Sequence, residues 1–410
     1  MHLYVVPVIF VLAGLVFYTV LGGADFGAGI WQLIAPRGES GDRIRQHAHE
    51  SMAPVWEANH VWLIFVLTVT WTAYPTAFGS IASTLSVPLF IAGIGIILRG
   101  AAYALRAGAS TAGEARRIDT GFAISSVLTP FALGTCIGAI ASRRVPVGNA
   151  AGHLISSWTG PTSILIGVIA VLSAAYLAAV YMAADAVRHD DAELVGAFRT
   201  RALIAGALAG AAAIAGLAVI HAEAKPLYHG LTTGGGLVAL IVSVAAGMAA
   251  IGLVWFRRFE PARYVAALTV AAVVAGWGLA QQPVLLPHLT IAQAAAPYDT
   301  LVAVVVAVLA GGVILFPSLA LLFRLFLTGH LAQSAPAAEP HPPHPGGSLP
   351  RGARPSVARL ALAAFLAGLI LVVFMDVEWG QLIGVACLIA CVILGFLAVD
   401  PPALASGEEP

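Results

Sequence analysis

The sequence predicts an all-α polytopic membrane protein, and three observations lead there. Of 410 residues, 60% are hydrophobic and 10% charged, against roughly 45–50% and about 25% in soluble domains. Apolar runs of about 20 residues, the length that crosses a bilayer as a helix, recur along the chain. Arginines crowd into alternate loops. This composition excludes a soluble globular enzyme and a disordered chain. The 20 basic residues only balance the 20 acidic ones, so no basic excess exists to hold nucleic-acid phosphates.

Spans are expected near residues 4–34, 54–75, 78–105, 119–141, 161–184, 202–221, 232–255, 262–281 and 299–327, with two more at 358–375 and 380–399. The runs are too long and too uniformly apolar for barrel strands. Helices then satisfy the backbone in hydrocarbon. The first run lacks the basic lead of a signal peptide and reads as a retained transmembrane helix. Residues 328–357 carry seven prolines and Gly346-Gly347, the composition of a flexible linker. His341 and His344 in it read as solvated side chains. Beyond it lies a two-helix tail, residues 358–410.

The loops after helices one, three, five and seven hold Arg37, Arg43, Arg45, Arg106, Arg116, Arg117, Arg188, Arg199, Arg201, Arg257, Arg258 and Arg263. The opposite loops hold Arg143, Arg144 and Lys225. Positive residues stay in the cytoplasm. The N-terminus is therefore expected outside, with the linker and C-terminus cytoplasmic.

An ionisable group in hydrocarbon is costly and is a functional candidate by default. These groups gather in the first four helices. Asp25 sits in Gly22-Gly23-Ala24-Asp25-Phe26-Gly27-Ala28-Gly29, and Glu57 and His60 in Trp56-Glu57-Ala58-Asn59-His60-Val61-Trp62. Arg99 precedes Gly100, and Asp119 is expected to open helix four. Glu57 and His60, three apart, share a helix face. Glycines let a backbone or cofactor approach closely. Carboxylates, an imidazole and an arginine suit proton transfer. The other reading is that Arg99 neutralises Asp25 or Asp119 to hold the helices together; the two are compatible. Trp31, Trp71, Trp158, Trp255, Trp277 and Trp379 mostly fall near helix ends and read as an interfacial belt. Asp299 reads as favouring the start of helix nine. Cys136, Cys387 and Cys391 read as small core residues. No metal site is expected. His60 alone lies where a haem ligand would be needed, and no phosphate-binding Gly-Lys loop occurs, so catalysis by this chain alone is not expected.

At these motifs the chain resembles subunit II of the cytochrome bd-type quinol oxidases. The stretches that carry the resemblance are residues 22–29, 53–64, 98–103 and 119–122, followed by 129–134, over roughly residues 1–327. The resemblance implies two four-helix bundles, residues 1–141 and 161–281, and a peripheral ninth helix at 299–327. It implies a bacterial plasma-membrane location and a homologous subunit I that holds haem b and haem d and oxidises quinol. Lipid contacts, small accessory subunits and a structural quinone belong to the same picture. By matching motif, Glu57 is a proton-route carboxylate with Asp25 and His60 beside it. Arg99 and Asp119 match haem-facing positions, and Trp62 matches an oxygen-channel entrance. Position 57 carries Glu where the best-known members carry Asp, and His60 stands where Gln or Glu is common. A proton-coupled transporter is the competing reading, since two four-helix halves with buried charges suit that class.

Overall fold

The computed structural model describes residues 2–52, 56–106, 111–327 and 355–374, and scattered positions between 379 and 394. The linker through residue 354, Asp376, Glu378 and most of the expected helix 380–399 lie outside the described residues. Contacts group the chain into two compact units, Met1–Leu319 and Ala320–Pro410.

The first unit is built almost wholly of helices. A single turn at Leu3–Val5 leads into α1 (Val6–Phe17), a π turn (Tyr18–Gly22) and α2 (Gly23–Leu33), which together make one 31-residue span. Then come α3 (Glu39–Met52), α4 (Trp56–Ala73), α5 (Pro75–Thr84), α6 (Ser86–Arg106), α7 (Ala112–Ala141), α8 (Pro161–Arg188) and α9 (Ala192–Glu223). After these follow α10 (Lys225–Thr232), α11 (Gly234–Trp255), α12 (Phe259–Gln281), α13 (Ile291–Ala294) and α14 (Tyr298–Leu327). In the second unit α15 covers Pro355–Phe374. Among the described residues seven helices are long and apolar enough to cross a membrane, or eight if one bent pair forms a single span. The polytopic all-α fold is as expected.

Four elements differ from the sequence reading. The expected span 78–105 is two helices, α5 and α6, meeting at 82°. Pro88 explains the break: it has no N–H for the Thr84 carbonyl, and its ring crowds that group. The loop after helix one contains α3, an amphipathic helix that buries Ile44, His47 and Ala48. Helix four begins at Ala112, so Asp119 lies two turns inside α7 and does not open it. Helix six begins at Ala192, ten residues early, where the Asp191 carboxylate caps it by accepting from the Leu194 amide at 3.0 Å. A small antiparallel ribbon, β1 (Val284–Leu286) with β2 (Leu289–Thr290), interrupts the helices.

The main core is drawn from both expected bundles. It runs from Tyr18 to Trp62 and again from Ala174 to Val270. At its centre is α8, buried on every side from Ala174 to Val180. Alanines make this enclosure feasible, because small side chains let neighbouring backbones come close. The α8 N-terminus is held by Glu223, whose Oε2 accepts from the Thr162 amide at 2.9 Å and its hydroxyl at 2.6 Å. By contrast, α14 exposes Val306, Leu309, Val313 and Ile314.

Candidate functional site

The site forms where the π turn hands over to α2. That turn widens the helix by one residue and is frequent at functional positions. The side-chain amide of Asn59, fully buried on α4, donates to the Leu21 carbonyl at 3.3 Å. Two glycines then bring α2 against its neighbours. A Cβ on Gly27 would lie 1.9 Å from the Ala174 carbonyl oxygen, and one on Gly29 would lie 2.0 Å from the Ser126 hydroxyl. No larger residue fits at either crossing without moving a helix.

This close approach brings three helices around Arg99. Its guanidinium, 2% exposed, donates to Asp25 Oδ1 at 2.6 Å and to the Asp25 carbonyl at 3.3 Å. It also donates to the Ser126 hydroxyl. The guanidinium carbon lies 4.1 Å from the Phe122 ring centre and 4.8 Å from Phe26. The cation is thus held between two aromatic faces, an arrangement that replaces part of its lost hydration. Of the two partners left open for Arg99, the structure selects Asp25.

The second carboxylate oxygen of Asp25 has no hydrogen-bond donor among the described residues. The Tyr18 hydroxyl and the Asn59 side-chain oxygen are buried and unpaired in the same way. The His60 ring centre lies 6.4 Å from both Tyr18 and Phe26. Buried polar atoms are rarely left unsatisfied, and water is their usual partner.

The other expected residues fall as follows. Glu57 opens α4, three residues before His60; its side chain lies outside the described residues. Asp119 is half-buried on α7, one turn before Phe122. Arg99 is enclosed by this chain's own residues. Trp62 is packed inside, stacked on Phe17 at 4.5 Å and edge-on to Phe65. Trp31 departs from the aromatic belt. It is buried, and its indole N–H donates to the Ala175 carbonyl at 2.8 Å. Tyr18, Phe122 and Ser126 were not singled out by the sequence. The i, i+4 spacing of Phe122 and Ser126 is the signal that could have found the latter two.

A family model for cytochrome bd terminal oxidase subunit II matches residues 3–326. Two proteins of Bacillus subtilis are similar to the chain. One, named for a cytochrome bd menaquinol oxidase subunit II, is 24% identical over 251 residues, which is 58% of this chain and 69% of that protein. The other, cytochrome bd ubiquinol oxidase subunit 2, is 26% identical over 168 residues, 40% of this chain and 48% of that protein. Among solved structures, a chain of the bd oxidase from Geobacillus thermodenitrificans has a TM-score of 0.63 at 23% identity. It covers 80% of this chain and 99% of that one.

Proposed function

The chain belongs to the cytochrome bd terminal oxidase subunit II family, and from that premise we propose that it steadies a haem-bearing subunit I and brings it protons from the cytoplasm. Cytochrome bd oxidases are multi-pass membrane quinol oxidases that carry haem. Haem would supply the one-electron steps that reduce oxygen. The residues of this chain do not fit haem as ligands. Among the described residues His60 is the one imidazole deep within an apolar helix, and its ring packs into the chain's own core beside Tyr18 and Phe26. No group of three ligating side chains occurs among the described residues. In this reading haem b and haem d sit in the partner, and quinol reacts there.

The observation that carries the proposal is the unpaired second oxygen of the Asp25 carboxylate, buried beside other unpaired oxygens. A pure anchor would use both oxygens. Arg99 fixes the first, which leaves the second to accept a proton from water. Glu57 and His60 lead to it along α4, and Asp119 lies near the Phe122 face. The arginine-rich loops put the N-terminus outside and the open end of the route on the cytoplasmic side.

The test is Glu57→Ala in the assembled oxidase. Quinol-driven oxygen consumption is expected to fall while haem content stays near the parent level. Unchanged turnover in a fully assembled complex would remove Glu57 from the route.

A further inference from the structure

A second set of titratable side chains lies at the last turn of α8, where α3 packs against it. One carboxylate oxygen organises it. Asp185 Oδ2 accepts a 2.6 Å hydrogen bond from the Ser51 hydroxyl. His47 Nε2 lies 3.8 Å from that oxygen, and His189 Nδ1 lies 3.9 Å from it. The two imidazoles are edge-on at 6.4 Å. Side-chain exposure falls along the series, from 69% at His189 to 26% at Asp185 and 9% at His47. Three proton-binding groups thus lead from solvent into the protein.

Backbone carbonyls set the tautomers. His47 Nε2 is 3.1 Å from the Met182 carbonyl, so that nitrogen carries the proton in the neutral ring. His189 Nδ1 is 3.0 Å from the Asp185 carbonyl and is likewise the donor. Its Nε2 is then the lone-pair nitrogen, free to take a proton from solvent. Other charges at this corner are matched elsewhere. Arg188 pairs with Glu260 of α12 at 2.8 Å, and Arg43 of α3 with Asp191 and Glu193. Within α3, Arg45 pairs with Asp42 at 2.7 Å; Glu39, His49 and Glu50 of α3 and Asp190 after α8 are further ionisable groups of this corner.

We propose that His189, Asp185 and His47 form the proton-collecting mouth of the route through Glu57. The proposal rests on the function given above. A proton enters at His189 Nε2 while its Nδ1 proton passes to Asp185, and a ring flip restores the first tautomer. Asp185 hands its proton to the Ser51 oxygen as the Ser51 hydroxyl proton leaves inward to water, while the His47 Nε2–H, held by the Met182 carbonyl, borders the carboxylate. Each group returns to its starting state, and the electrons remain those of quinol. The 3.8 and 3.9 Å gaps are closed by a small side-chain swing or one water. Ser51 lies one turn after His47 on α3 and six residues before Glu57 in the chain. Imidazole suits this task because its ordinary pKa lies near neutrality.

The experiment uses the whole oxidase complex and measures turnover from pH 6 to pH 8.5, with haem content read in parallel. Asp185→Asn keeps an acceptor for Ser51 but cannot relay protons. Its turnover is expected to fall about a hundredfold at the alkaline end, the low end for losing a proton-transfer group, and to approach the parent at the acid end. His189→Ala, at an exposed position that tolerates change, is expected to show a smaller alkaline loss that added imidazole repairs. Turnover equal to the parent at every pH, or a loss that is uniform with pH and accompanied by haem loss, would overturn the mouth and leave an anchor between α3 and α8. Glu57→Ala run alongside separates the two proposals. If it is slow while Asp185→Asn is normal, the mouth alone fails. If it is normal while Asp185→Asn is slow, the link to Glu57 fails.

Discussion

Two arginine–carboxylate sites in this protein share their chemistry and differ in their surroundings. Arg99 and Asp25 meet inside the membrane part, with side chains 2% and 3% exposed. Arg43 meets Asp191 and Glu193 at the surface, where its own side chain is 39% exposed. Water solvates the surface ions whether or not they pair, so that contact changes little. Inside, burial strips most of the hydration from both ions, and each depends on the other. The surface site joins α3 to the start of α9; the buried site joins three helices and leaves one carboxylate oxygen without a donor among the described residues.

Removing one buried partner gives the largest expected effect. Arg99→Ala leaves a buried carboxylate alone, a loss of about 3–5 kcal/mol, read as failed assembly or a much lower melting temperature of the solubilised complex. The double variant Arg99→Met with Asp25→Leu sharpens the comparison. Replacing both ions by apolar groups is expected to recover most of the stability. If Asp25 handles protons, turnover stays low in the double variant; full turnover there would reduce the site to an anchor.

Gly27→Ala comes next. Its Cβ would meet the Ala174 carbonyl at 1.9 Å, so α2 must shift away from α8, a strain of about 1–3 kcal/mol. The same thermal measurement checks it. Gly196→Ala on α9, where an added Cβ would meet nothing within 4 Å, is the control and is expected to leave the melting temperature unchanged.

The surface site gives the smallest effect. Arg43→Ala is expected to change the melting temperature only slightly, and high salt should erase the difference. The Leu194 amide and then the Arg43 guanidinium hold the Asp191 carboxyl below the usual carboxylate range. A lowered folded value means that the contribution is present above the ordinary value of about 4 and disappears as pH falls through the lower one. Asp191→Asn should therefore differ from the parent at neutral pH and converge with it in acid.

Much of this was legible in the sequence because hydrocarbon imposes a simple rule on composition. The spans and the gathering of charges in the first helices both follow from it. Boundaries were less legible. Arg199 was read as loop because it is charged. In the fold it lies within α9, and its guanidinium donates to the Val254 and Trp255 carbonyls at the end of α11. Pro88 carried a readable signal for the break between α5 and α6. Trp31 looked interfacial because it stands near a helix end, yet the neighbouring α8 supplies a carbonyl that its position in the chain could not reveal.

The sequence by itself determined that this chain crosses a membrane as helices and which ionisable groups enter it, since both depend on side-chain polarity alone. Tertiary structure decided which carboxylate Arg99 pairs with, which oxygen is left over, and that His47 and His189 meet at Asp185. Those choices depend on how closely helices far apart in the chain can pack. The glycines of α2 and the alanines of α8 set that spacing only once they face each other.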